Sequence, residues 1–325
     1  MNEYSLLSRS LDIRPKEKPF VSAAFDGYVM KHSGGSRWHV SSWIDYSLAY
    51  TKGAIDRSVL IICDDSIVGV CPAVQCGECL GMGDDACAGP LLDADVDIEA
   101  VCNVLISYFK DCGIGSIDFR WDRYPFDCRA IIARIASCFN VNQYEWETAI
   151  VPLSLSKDEQ FLRIRNSYRS LITKAKRKRS IVWGTAALFE HYRYCHQSVA
   201  KRPRPPETYE HQRRALESGS AFIVAATNEE HPYLMECYKK NKPEIRSILA
   251  CNYVMVHKGH GYYASGPSIE KNLQHALQWA AMEILMDHLD GCSYELGWLK
   301  GDGIGFFKRG FGGSIAYVDA IKGSL

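Results

Sequence analysis

One lysine stands where it could be put to chemical use. The stretch 293–313, SYELGWLKGDGIGFFKRGFGG, sets Lys308 after Phe306 and Phe307 and before Arg309 and Phe311, among closely spaced glycines. Aromatic neighbours strip water from an ammonium and prepare it to act on a reacting group. Glycines let backbone come close to a ligand. A second feature is a run of cations, Arg163, Arg165, Arg169, Lys174, Lys176, Arg177, Lys178 and Arg179. Arg165, Arg169 and Lys176 fall on one helix face by four- and eleven-residue spacing. That face suits a phosphate-rich partner such as a nucleotide, a pyrophosphate or an RNA end. The bland alternative is a solvated face whose C-terminal cations suit the helix dipole. A third feature, Lys201-Arg202-Pro203-Arg204-Pro205-Pro206, is either a stiff linker or an arginine grip for an anion.

Other chemistries find little support. The 13 cysteines are an odd number without a secretion signal and read as reduced, mostly buried thiols. Cys76 and Cys79 form one CxxC with no second pair at zinc spacing, so no metal site is expected. Its redox use also lacks support, because Cys76 follows a strand rather than opening a helix. Gly301, Gly303 and Gly305 do not make a dinucleotide fingerprint, and no P-loop, GxSxG or HExxH is present. Formal net charge is zero, which argues against a whole-protein polyanion binder but leaves room for a local basic patch. No apolar run is long enough to span a bilayer and the N-terminus lacks a signal-peptide core, so a cytoplasmic protein is expected, with peripheral contact at the inner membrane left open.

The elements that must hold these groups read as two α/β halves, since 325 residues exceed one core. Residues 1–19 are expected to be a loose arm. The first half, 20–153, carries a helix from Ser42, a hairpin over 59–74 across Asp64-Asp65-Ser66, and a helix over 97–112 ended by Gly113. A short strand at 116–120, a helix after Pro125 and a strand over 144–153 close it. The second half, 154–313, opens with a capping box at Ser156 and Glu159 and one helix to Arg179. A hairpin across Lys258-Gly259-His260 and a helix over 271–289 follow. Residues 228–245 match no element, and 297–313 read as a glycine-rich loop. Mixed sheets with helices on both faces fit this order.

Several motifs occur together in a familiar order: IVGVCPA at 67–73, AGPLL at 88–92, the cations of the basic helix, YYASGP at 262–267, LQWAAMEIL at 277–285, YELG at 294–297 and GIGFFKRGFGG at 303–313. The chain resembles the FemABX-like acyltransferases, built from two GNAT-like domains, over residues 40–320. The resemblance implies transfer of an acyl or aminoacyl group to an amine of a cell-envelope precursor, in peptidoglycan or polysaccharide biosynthesis. It implies a donor substrate, acyl-CoA or aminoacyl-tRNA, and no permanently bound cofactor. Partners would be a nucleotide- or lipid-linked precursor and, for one donor class, tRNA. It makes Lys308 the catalytic cation. Arg165, Arg169, Tyr263, Phe307, Arg309 and Phe311 become the substrate-binding set, and residues 314–325 return to the first domain. The coiled-coil hairpin of some members is absent, and the pyrophosphate loop of simple GNAT enzymes is not evident. Glu295 and Asp302 are the candidate bases, Glu295 serving equally well as a pairing group within the loop. The reading from another class is a non-catalytic module that binds RNA or an anionic polymer through the basic helix 163–179.

Overall fold

The computed structural model describes residues 11–16, 19–81, 87–122, 129–200, 204–299 and 301–325. They divide into two compact units, one ending at Trp146 and regaining Tyr317–Leu325, the other Glu147–Ala316.

In the first unit the elements are β1 (Leu11–Pro15), α1 (Pro19–Lys31), α2 (Ser41–Tyr50), β2 (Ile55–Asp56), β3 (Val59–Cys63), β4 (Ser66–Cys71), β5 (Val74–Cys76), β6 (Cys79–Leu80), β7 (Cys87–Ala88), β8 (Leu91–Leu92), α3 (Ile98–Asp111), β9 (Ser116–Asp122), α4 (Arg129–Phe139) and the first part of β10 (Asn142–Pro152). One sheet has the order β1-β3-β4-β8. In the other, β9 pairs with the final strand, with β6 and with β7. The expected hairpin is β3–β4, turning through Asp64 and Asp65, both at positive φ. Asp97 caps α3 by accepting from the N–H groups of Glu99 and Ala100, the usual use of an acid at that position. Phe25, Val29, Ile61, Leu105, Phe109 and Phe119 form the core.

Two expectations fail here. The loose arm is in part a strand: Leu11 to Pro15 pair with Cys63 to Val59. Lys16 is buried and salt-bridged to Asp56 at 3.1 Å, which closes the strand's end. Residues 1–10 of that arm lie outside the described residues. The second is an omission: no element is expected from sequence before Ser42, yet Pro19–Lys31 is helix α1, whose Val21, Phe25 and Val29 recur at four-residue spacing and are buried.

The second unit takes up the end of β10 and continues through α5 (Lys157–Arg163), α6 (Asn166–Lys178), β11 (Ser180–Gly184), α7 (Phe189–Val199), α8 (Pro206–Glu217), β12 (Ala221–Thr227), β13 (Met235–Glu236), β14 (Ile248–His257), β15 (His260–Ser265), α9 (Gln274–His288), β16 (Ser293–Trp298), α10 (Asp302–Arg309) and the start of β17 (Ser314–Ser324). Its sheet runs β13-β11-β12-β14-β15-β16-β10. β11, β12, β14 and β15 are antiparallel neighbours, and β15 then pairs parallel with β16. A parallel pair needs a crossover, and α9 supplies it, buried along most of its length.

The expected single helix 157–179 is two. The capping box of Ser156 and Glu159 forms, but Ile164 and Arg165 are extended, with ψ of 138° and 134°. The break lets the Arg165 N–H donate to the Gly310 carbonyl at 2.8 Å. Residues 228–245 are tied down rather than free: Met235 and Glu236 pair with β11, and the Tyr233 hydroxyl donates to Glu283 of α9. The glycine-rich loop of 297–313 is also corrected, since it contains helix α10. Gly301, at φ +73°, turns the chain into that helix, a conformation that costs glycine little.

In the first unit the AGPLL segment packs against β9 with no room to spare. A Cβ on Gly89 would fall 1.9 Å from the Trp121 ring, and the Trp121 indole donates to the Pro90 carbonyl at 2.9 Å. Gly89→Ala should therefore destabilise the protein by about 1–3 kcal/mol, the range for overpacking a filled core. Chemical denaturation read by tryptophan fluorescence tests this, and an unchanged midpoint would contradict it.

Candidate functional site

Strand β16 ends at Trp298, and α10 folds back so that its last turn returns to that strand end. The Lys308 Nζ donates to the Trp298 carbonyl at 2.7 Å. A Cβ on Gly297 would lie 3.5 Å from the same nitrogen, so a glycine there leaves the ammonium's flank open. Burial pushes the Lys308 amine down to about 8, against the pull of Glu295, which favours the charged form. Desolvation disfavours the ion, and at this value the amine is still mostly protonated near neutral pH, with a minority neutral. Glu295 accepts from the Thr148 hydroxyl of β10 at 2.8 Å. It is an anchored carboxylate at the foot of the site, in line with the pairing role open to it from sequence.

Aromatic rings anchor the helix that carries Lys308. Phe307 and Phe311 lie 5.2 Å apart edge to face, and both pack on Tyr168 of α6 and His275 of α9. Burial lowers the His275 pKa, so the imidazole is an apolar, neutral wall. Gly310 makes the junction with α6, where a Cβ would sit 2.0 Å from the Tyr168 ring. Arg165 lays its guanidinium 3.7 Å from the centroid of the Phe306 ring, a cation–π contact. Phe306 itself is 58% exposed.

The residues singled out from sequence distribute as follows. Lys308, Phe307, Phe311 and Arg165 converge on α10. Arg309 pairs with Glu147 of β10 at 2.8 Å. Arg169 stays on the first turns of α6, bonded to Asn166. Tyr263 stands under the turn between β15 and α9, beside Gly266 and Gln274. Burial raises its phenol to about 12. The side chain of Asp302 and residues 201–203 lie outside the described residues. His275, Tyr168 and Thr148 were not foreseen. His275 interrupts an otherwise apolar helix face, and that interruption was the available signal.

The basic helix does not act as one face. Lys176 bridges to Glu283 at 3.1 Å and lies 4.1 Å from the Tyr233 ring centroid, and burial lowers its pKa. Arg179 pairs with Glu270 at 2.9 Å. The cations that line a depression are Lys174 and Lys178, joined by Lys271 and Arg179. Leu171, Ala175, Leu273, Asn272 and the carboxylate Glu270 complete a cleft of about 180 Å³ between α6 and the segment before α9.

The first unit holds a second cluster that sequence reading missed. Arg120 stacks 4.4 Å from the Trp38 ring centroid and 5.9 Å from that of Trp146. Arg37 lies over Trp38 and Trp43, at 5.2 and 5.0 Å. Asp122 sits with them, its carboxyl raised by burial against the opposing pull of Arg120 and Arg37. Among the described residues no group of three or more His, Cys, Asp or Glu is placed to hold a metal. No described helix is long and apolar enough to cross a membrane.

No protein-family model and no curated protein sequence matches the chain. Solved structures do. FemX superposes with a TM-score of 0.65 at 14% identity, over 92% of this chain and 95% of its own. A tandem GNAT protein from the clavulanic acid biosynthesis pathway gives 0.59 at 9% identity, over 97% and 98%. The L-PGS of Bacillus licheniformis gives 0.57 at 12%, over 94% and 91%. The chain has the FemABX-like fold, two GNAT-like domains in one polypeptide.

The Lys308 environment has a direct readout. Only the neutral amine reacts with an acylating or alkylating reagent, so labelling of Lys308 should climb as pH rises and level off above its pKa of about 8. An unshifted lysine would still be climbing at about pH 10. Peptide mass spectrometry after brief labelling across pH measures this. A midpoint near the unshifted value would show that the amine is not desolvated.

Proposed function

We propose, from its FemABX-like double-GNAT fold, that this chain is an N-acyltransferase that moves an acyl or aminoacyl group from an activated donor to an amine of a cell-envelope precursor. The observation that carries the reading is Lys308: a half-buried amine with a pKa near 8, held on a strand-end carbonyl beside a glycine.

The chemistry follows from that placement. Attack of an amine on an ester or thioester carbonyl makes a tetrahedral oxyanion. A fixed cation with little water around it stabilises that charge more than water does. In its protonated form Lys308 is such a cation, and its bond to Trp298 fixes its position before substrate arrives. Phe307 and Phe311, packed on Tyr168 and His275, hold the helix that carries Lys308 in place.

The cleft between α6 and α9 supports an anionic donor. Acyl-CoA and aminoacyl-tRNA both carry phosphates, and Lys174, Lys178 and Lys271 can bind phosphate. From Tyr168, which touches Phe307, to Lys178 is ten residues of helix, about 15 Å at 1.5 Å per residue. A donor with its phosphates in the cleft would need an arm of about that reach. In the first unit, stacked arginines and tryptophans suit an acceptor that bears a ring and an acid group, as a nucleotide-linked amino sugar does.

Lys308→Ala should fold with an unchanged unfolding transition and lose about 10²–10³-fold in turnover, the usual cost of removing one oxyanion donor. Acyl transfer from acetyl-CoA and from an aminoacyl-tRNA mimic to amine acceptors is the assay. Wild-type turnover in the variant would overturn the catalytic assignment.

The cleft also supports a second reading, a module that only binds anions. Replacing Lys174, Lys178 and Lys271 with Gln should abolish stabilisation by the donor in a thermal-shift titration and flatten its salt dependence. The same replacement at Arg165 and Lys176 should leave that salt dependence in place, because both cations are committed to contacts inside the unit. Turnover separates the readings: a pure binding module retains donor binding and shows no transfer with Lys308 intact.

A further inference from the structure

The CxxC that sequence reading set aside lies in a β-hairpin, not at a helix. Strands β5 and β6 are joined by Gly77 and Glu78, with Gly77 at φ +62°. Cys76 and Cys79 are direct cross-strand partners. Residues opposed in an antiparallel pair have Cα atoms about 4.5–5.5 Å apart, inside the range a disulfide spans. Both thiols are free, Cys79 exposed and Cys76 half-exposed. They open on a cavity of about 440 Å³ that Ser116, Asp118 and Lys322 also line.

The other neighbouring thiols differ in access. Cys195 and Cys251 share a hydrogen bond but are fully buried. Cys102, bonded to Cys138, is buried as well. Among the described cysteines, 76 and 79 are the pair that is both opposed in register and open to solvent.

The surroundings favour exchange over metal binding. Cys79 shares a hydrogen bond with the Ser116 hydroxyl. The Lys322 ammonium, bonded to Asp118 at 2.8 Å, lies within electrostatic reach of Cys79. The thiolate is the attacking species in exchange, and Cys79 is the more exposed of the two sulfurs. No third ligand of metal-binding type joins the two sulfurs among the described residues.

We propose that Cys76 and Cys79 form a reversible thiol–disulfide pair, oxidised by exchange with a low-molecular-weight disulfide of the glutathione type. The exposed Cys79 thiolate attacks one sulfur of the disulfide. A Cys79–S–S–R bond forms and one RS⁻ leaves. The Cys76 thiolate then attacks the Cys79 sulfur, closing Cys76–S–S–Cys79 and expelling the second RS⁻. The two thiol protons end on the two released thiols, and the disulfide has taken up two electrons. A bridge over so short a turn, open to solvent, belongs to the readily reduced class. Its oxidation adds a covalent tie at the hairpin that pairs with the start of β9, the strand carrying Arg120 and Asp122 at its other end.

The test uses the full chain, reduced and freed of reductant, then incubated with oxidised glutathione and alkylated. Peptide mass spectrometry should find the 76–79 peptide unalkylated and lighter by two hydrogens, with dithiothreitol restoring both thiols. The Cys76→Ser variant should instead trap a glutathione adduct on Cys79. A 76–79 peptide that stays fully reduced would overturn the proposal, as would a lasting glutathione adduct in the unmodified protein. Equimolar zinc that blocks the oxidation and is released by a chelator would reassign the pair to metal binding and overturn it equally.

Discussion

A lysine that leaves water needs a partner, and much of the second unit is organised around the one that Lys308 has. Its ammonium is held by a backbone carbonyl rather than a carboxylate. A carboxylate at that distance would pin the proton and raise the pKa, whereas a carbonyl orients the group and leaves burial to lower it. Glu295 is close enough to pull on Lys308 but is engaged by Thr148. The result is a cation held by a carbonyl dipole rather than paired at contact with a full negative charge. β16 ends at Trp298 and the chain turns at Gly301, which brings Lys308 back to that carbonyl. Two of the glycines in the motif thereby gain a physical reason, one in the turn and one at Gly310 beneath Tyr168.

Most of the second unit's framework was legible, because its elements obey local rules. The hairpin across Lys258 and Gly259, the capping box at Ser156 and the long helix over 271–289 all announce themselves by turn chemistry, caps or apolar content. The helix carrying Lys308 did not. Gly303 and Gly305 each cost about 1 kcal/mol relative to alanine in a helix interior, so an isolated reading takes 301–305 for loop. The helix forms because Phe307 and Phe311 are packed on Tyr168 and His275, from elements far away in sequence. Tertiary contact overrides propensity where the site is built. The broken helix at Ile164 and Arg165 has a similar cause. The apolar stripe of Ile164, Tyr168, Ile172 and Ala175 continues across the break, so periodicity cannot reveal it. The reason for the break is a hydrogen bond to Gly310.

The first unit's cluster shows another limit of sequence reading. Arg37, Trp38, Trp43, Arg120, Asp122 and Trp146 come from separate elements and share no spacing rule. Each alone is an ordinary residue. Together they place two guanidinium groups on indole rings around a buried carboxyl. Arginine tolerates such settings because its planar, weakly hydrated charge stacks on aromatic faces. Topology supplies the cluster: β9 delivers Arg120 and Asp122 on one face, two residues apart, as strand alternation requires.

The same lesson applies with opposite sign to the basic helix. Spacing put Arg165, Arg169 and Lys176 on one face and invited a single polyanion surface. Spacing reports direction from the helix axis, but not what lies in that direction. Arg165 meets Phe306, and Lys176 meets Glu283 and Tyr233. Their charge is used to dock α6 onto α10 and α9. Removing Lys176 would leave the buried Glu283 carboxylate without its ion-pair partner, and removing Arg165 would lose the stacking on Phe306, which makes these cations structural whatever the helix binds. Lys174 and Lys178 instead line a cleft with Lys271, Leu273 and Glu270, and Arg179 is paired with that Glu270. One carboxylate among four cations leaves a local excess of positive charge. That excess is a property of the cleft and not of the count of cations along the helix.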